Sequence, residues 1–277
     1  MLVLLLFVGS GLGLLVVGAS VLGYLALLKP IIVRQRLMKL ELRNGSPSGL
    51  AGLKDEELEA VTQQLVDLGF EPIEDYLSRS YSEFDEPALK SPIASPTGDT
   101  SLPPDRFPAQ GFARVFSHPQ HGLLGKIMFV SVVDAQGKVP TSTDMSMLIA
   151  SFSEPDGAWV YVTTNRDSAP MVNALMKLLR HPRWLSTRLP RRPATELLQF
   201  HLKRRAEIAT VGGFVWKAHP TSNDDHAYEE RAVVNIRAIY AKLTPLKMAM
   251  KLSRLKKEEA QLEWLGELEG RMPSAQL

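Results

Sequence analysis

From Met1 to Leu28 the chain carries no Asp, Glu, Lys or Arg, and Lys29, Arg34, Arg36, Lys39 and Arg43 follow at once. A helix needs roughly 20 apolar residues to cross the hydrocarbon core of a bilayer, so this run is long enough to span it. A cleaved secretory signal would instead show a basic start and a shorter apolar core, and Gly18-Ala19-Ser20, the one passable cleavage site, sits inside the run. Residues 1–28 are therefore expected to be a retained transmembrane anchor, and 29–45 a basic juxtamembrane segment. Lys and Arg gather on the cytoplasmic side of a span, which predicts an outside N-terminus and a cytoplasmic C-terminal domain over 46–277.

Gly9 with Gly13, and Ala19 with Gly23, form small-xxx-small pairs that let helix backbones approach closely. They are the candidate packing positions against a second membrane subunit. Glycine is also simply frequent in membrane helices, which is the plainer reading. Gly11 and Gly13 superficially open a dinucleotide fingerprint, but no strand precedes them and Val16 stands where its last glycine belongs.

Without cysteine the chain forms no disulfide and carries no lipoprotein site. With 45% hydrophobic and 22% charged residues, the part after the anchor suits one globular domain. Asp55 to Leu68 places Leu58, Val61, Leu65 and Leu68 on one stripe behind an acidic first turn, which predicts a helix closed by Gly69. Phe70 to Ser78 reads as a strand or extended connection, at a sheet edge because of Pro72. Residues 86–110, rich in Pro and Ser, read as a long loop.

Phe112–Ser117, Leu124–Asp134, Met145–Ser153 and Ala158–Thr163 are rich in β-forming residues and separated by turn signals. The sharpest of these is Glu154-Pro155-Asp156-Gly157, which predicts a hairpin. Helices are expected at Met171–Arg180, Thr195–Thr210, Asp225–Leu243 and from Pro245 to about Glu269. The fold class implied is α+β: a single N-terminal transmembrane helix, then an antiparallel β-meander covered by helices.

No motif for nucleotide hydrolysis, α/β-hydrolase chemistry or zinc protease chemistry is present, so no catalytic residue, cofactor or metal is assigned. His118 and His121 flank a turn and lack a third ligand at metal spacing. Thr163-Thr164-Asn165-Arg166-Asp167 reads first as turn chemistry, and Asp134 and Asp144 pair only if the fold joins them.

Charge is more informative. Acidic residues dominate 41–86, whereas Lys177 to Arg205 is basic with Glu196 as its one acid. Arg180, Arg183, Trp184, Arg188, Arg191, Arg192, Lys203, Arg204 and Arg205 are the candidate contacts to anionic lipid or to a protein partner, provided they share an exposed face. A solvated or internally neutralised basic segment is the plainer alternative. Nucleic acid is disfavoured because no interleaved aromatics offer a stacking platform. Cations early in the last helix, Lys247 to Lys257, oppose its dipole and call for an acidic partner or headgroups. These features point to a non-enzymatic interaction or assembly subunit at the cytoplasmic membrane face, with the bilayer and a protein as partners. The alternative is a lipid or amphiphile binding protein or enzyme with a basic headgroup surface.

Overall fold

A computed structural model describes residues 29, 38–47, 50, 52–82, 111–130, 145–167, 179–255 and 262–273. Their centre is an eight-stranded sheet in which every strand pairs with its neighbour in sequence. The strands are β1 (Met38–Asn44), β2 (Glu71–Ser82), β3 (Gly111–His118), β4 (Leu123–Val130), β5 (Ser146–Phe152), β6 (Val160–Thr164), β7 (Trp184–Arg188) and β8 (Glu263–Trp264). The helices are α1 (Asp55–Val66), α2 (Ala194–Gly212), α3 (Ser222–Lys242) and α4 (Pro245–Leu255).

Alternation along the strands divides the apolar residues between two faces. On the first, Phe112, Phe116, Leu123, Ile127, Phe129, Met147 and Ile149 meet Leu58 and Leu65 of α1 and Leu197 and Leu198 of α2. Tyr161 and Leu185 extend that face toward Ile208, Trp216 and Leu268. Opposite them, Tyr76, Ala113, Val115, Leu124, Ala150, Phe152, Val160 and Val162 are covered by Tyr228 of α3. Burial on both sides explains why the sequence alternation is incomplete. Gly125 marks a close approach on the first face, since a Cβ there would lie 2.9 Å from the Phe70 ring.

The expected fold class needs correction. The sheet is mixed: β6 and β7 run parallel, Val160 opposite Trp184 and Thr164 opposite Arg188, so the antiparallel meander does not describe it. No helix among the described residues is long and apolar enough to cross a membrane, so the described architecture includes no transmembrane helix. Residues 1–28, with Gly9, Gly13, Ala19 and Gly23, lie outside the described residues, as do 86–110, Asp134, Asp144 and most of the helix expected at Met171–Arg180.

Other differences have local causes. Part of the basic segment 29–45 is β1, which pairs with β2 from Met38↔Ser82 to Asn44↔Tyr76, so β2 is an interior strand. Pro72, which cannot donate to a ladder, sits where the β2–β3 register shifts. The last helix does not run to Glu269: Glu263 and Trp264 pair with β7, and a 3-10 turn follows at Gly266–Leu268. Leu265 is buried against Leu185 and Tyr161. Spacing on a helix wheel cannot reveal a two-residue strand. The Pro-Asp-Gly connection does close β5 on β6, with Gly157 at φ 64° and the Asp156 carboxylate accepting from the Ala158 N–H at 3.0 Å.

Candidate functional site

Chemistry-bearing side chains collect in three places, one on each face of the sheet and one beside α1.

On the face under α3, β4 turns Lys126 inward between Leu124 and Met128, at 3% exposure. The first turns of α3 answer it: Asp225 and Glu229 lie one turn apart on the side facing the sheet. Lys126 Nζ donates to Asp225 Oδ1 at 3.0 Å and to Glu229 Oε1 at 2.7 Å, and the Tyr76 hydroxyl donates to Asp225 Oδ2 at 3.0 Å. Burial opposes the lysine's charge, but Glu229 and Asp225 outweigh it and hold its pKa well above 10.5. Burial also raises the Tyr76 hydroxyl, chiefly by denying its anion water. A lysine that attacks carbonyls must lose its proton near neutrality; this one is held as an ammonium ion.

Beneath α2 the arrangement is uncharged. Ser151 Oγ lies 2.9 Å from His201 Nε2, and Thr163 Oγ1 lies 2.9 Å from His201 Nδ1. All three are at 0% exposure, and the imidazole stacks on Tyr161 with ring centroids 4.7 Å apart. Burial, with Arg205 adding in the same direction, lowers the His201 pKa well below 6.5, so the ring is neutral. A serine–imidazole contact of this length is the start of a nucleophilic pair. Here the second ring nitrogen meets a hydroxyl rather than a carboxylate, and the serine is sealed from any substrate. The hydrogen-bond chain continues from Tyr161 to Thr187 and on to Glu263, which takes a two-pronged bond from Arg204 at 2.7 and 2.8 Å. Arg204 thereby ties α2 to β8.

Beside α1 an open cleft of about 550 Å³ is lined by Gly45, Ser46, Pro47, Asp55, Leu58, Glu59, Asp75 and Arg114. Arg114 spans its floor, bonded to both Asp75 oxygens at 2.9 and 3.0 Å, to Glu59 at 2.7 Å and to Thr62 at 3.0 Å. Three carboxylates against one arginine leave the cleft acidic. Its guanidinium is already engaged and is poorly placed to take an anionic head.

The sequence-predicted contacts do not assemble on one face. β7 turns Trp184 toward α3, its ring 5.0 Å from Tyr228. Burial and the neighbouring Arg188 lower Arg180 to about 10, and burial also lowers Arg188. Arg204 is buried, and Arg205 donates to the His121 carbonyl with its pKa brought down to about 10 by burial. Arg183, Arg191 and Arg192 are exposed but pair with Glu267, Asp167 and Glu196. Lys203 faces outward on α2.

The polar cluster after β6 holds the chain: Asn165 Oδ1 accepts from the Met147 N–H at 2.8 Å, and Thr164 Oγ1 donates to the Met147 carbonyl at 2.8 Å. The His118 and His121 rings lie 4.6 Å apart with their planes tilted by 41°, the buried His118 Nδ1 is unbonded, and among the described residues no three His, Asp or Glu side chains are placed to hold a metal.

Sequence reading missed both buried arrays. Lys126 was discoverable, as a lone lysine within Leu-Leu-Gly-Lys-Ile-Met-Phe-Val promises a buried charge in need of acids. His201 carried no such signal. Comparison with family models, curated proteins and solved structures gives no match.

Proposed function

We propose that this chain is a non-enzymatic interaction or assembly subunit held at the cytoplasmic face of a membrane. Support for the membrane comes from the sequence, in the uncharged residues 1–28 and the basic residues after them. Support for an interaction role comes from one contrast in the fold. The groups best equipped for acid–base or nucleophilic work, Ser151, His201 and Lys126, are saturated by neighbours inside the core, whereas α4 presents Leu246, Met250, Lys247 and Lys251 to solvent. A catalytic group must touch its substrate, and buried, satisfied groups of this kind stabilise instead.

The reading of an amphiphile-binding protein has less behind it, because the cleft beside α1 is open and carboxylate-lined. Crosslinking the full chain in intact membranes, followed by mass spectrometry and by protease treatment from each side, tests the proposal. Discrete protein crosslinks and cleavage only from the cytoplasmic side are expected. Cleavage of residues 46–277 only from the opposite side, or an absence of protein crosslinks, would overturn it.

A further inference from the structure

Helix α4 presents exposed apolar and basic side chains together. Thr244 precedes it and its Oγ1 accepts from the Lys247 N–H at 3.3 Å, while Pro245 occupies the first turn. Met248 and Ala249 turn inward onto Tyr240, Leu243, Ile236 and Ile239 of the preceding segment. That packing fixes which side faces out. Leu246 and Met250, one turn apart, are 56% and 51% exposed. Lys247 and Lys251, also one turn apart and adjoining them, are exposed as well, and so is Lys242 at the end of α3. No acidic residue occurs between Pro245 and Leu255.

On α4 the aliphatic pair is flanked by lysines, with no acidic side chain between Pro245 and Leu255. Such a face suits the boundary between acyl chains and anionic headgroups, where apolar side chains enter the bilayer and lysine stems extend outward. We propose that the outer face of α4 lies on an anionic lipid surface, with Leu246 and Met250 inserted among the acyl chains and Lys247 and Lys251 on the headgroups. This rests on the reading that the chain is held at a membrane, and it makes α4 a second, electrostatic contact that orients the domain.

The absence of native cysteine allows a clean test. Met250→Cys in the full chain, labelled with an environment-sensitive fluorophore, is reconstituted in vesicles of phosphatidylcholine alone or with phosphatidylserine. A blue shift and loss of iodide quenching are expected only with phosphatidylserine, and both should fade as salt approaches 1 M. Lys247→Glu with Lys251→Glu should lower the inserted fraction at least about tenfold. A label at exposed Glu57→Cys on α1 should not respond. If the chain floats with both vesicles and the Met250→Cys label stays in water, the α4 proposal falls and the membrane reading stands. If the chain floats with neither, both fall. A shift that follows protein concentration rather than lipid charge identifies a second copy as the occupant and overturns the proposal.

Discussion

The two faces of the sheet solve the same problem with opposite chemistry. Under α3 a full positive charge is buried and matched by two carboxylates and a phenol; under α2 an imidazole is buried neutral between two hydroxyls. The charged array depends on every partner being present, because a buried ion that loses its counter-ion has no water to replace it. The neutral array forfeits only hydrogen bonds. Buried polarity therefore predicts fragility by its charge, not merely by its depth.

The largest effect should come from Lys126→Met, which strands Asp225 and Glu229 and should cost about 3–5 kcal/mol. A urea titration reads it, and adding Asp225→Asn with Glu229→Gln should recover much of the loss. Equal stability for Lys126→Met and the native chain would show that the ammonium contributes little. On the other face His201→Phe keeps a ring against Tyr161 but leaves the Ser151 and Thr163 hydroxyls unpaired, for about 1–3 kcal/mol. A loss as large as that of Lys126→Met would erase the contrast.

Acid and base should separate the faces. His201 has a folded pKa well below the 6.5 of the unfolded chain, so the unfolded state binds the extra proton. Its contribution is complete above pH 6.5 and is lost as the pH falls below it, by up to about 1.4 kcal/mol per pH unit. His118 and His181, also lowered by burial, act in the same direction. Lys126 is the reverse: raised above 10.5 when folded, it contributes fully below pH 10.5 and loses that contribution as pH climbs through its folded value. Thermal melts from pH 4 to 11 check both limbs, with His201→Phe flattening the acid limb and Lys126→Met the alkaline one.

Smaller effects lie at the surface. Arg114→Ala, which frees Asp75 and Glu59 beside α1, should cost about 1 kcal/mol. Arg183→Ala, which breaks an exposed pair with Glu267, should stay within about 0.5 kcal/mol by the same titration.

What could be read from the chain follows the same division between local and distant. The hairpin at Pro155-Asp156-Gly157, helix α1 with its Gly69 stop and the strands from Gly111 to Thr164 are set by turn residues and apolar periodicity, which are local. The parallel pairing of β6 with β7 is not local, since it joins segments some twenty residues apart. Nor is the pairing of Arg204 with Glu263, which turned an apparently basic surface residue into a buried strut. Charge counted along a sequence cannot distinguish a solvated arginine from a paired one. Strand alternation then sent Trp184 and Arg188 to the α3 side, away from the cations of α2. The outer face of α4 was legible in part, because its cations oppose the helix dipole, but only packing against Tyr240 and Leu243 shows which side remains open.

The direct test of the whole account is whether the full chain stays with its membrane after an alkaline carbonate wash. Retention in the pellet, with residues 46–277 still cleavable from the cytoplasmic side, is the expected result. Release of the intact chain into the supernatant would contradict it.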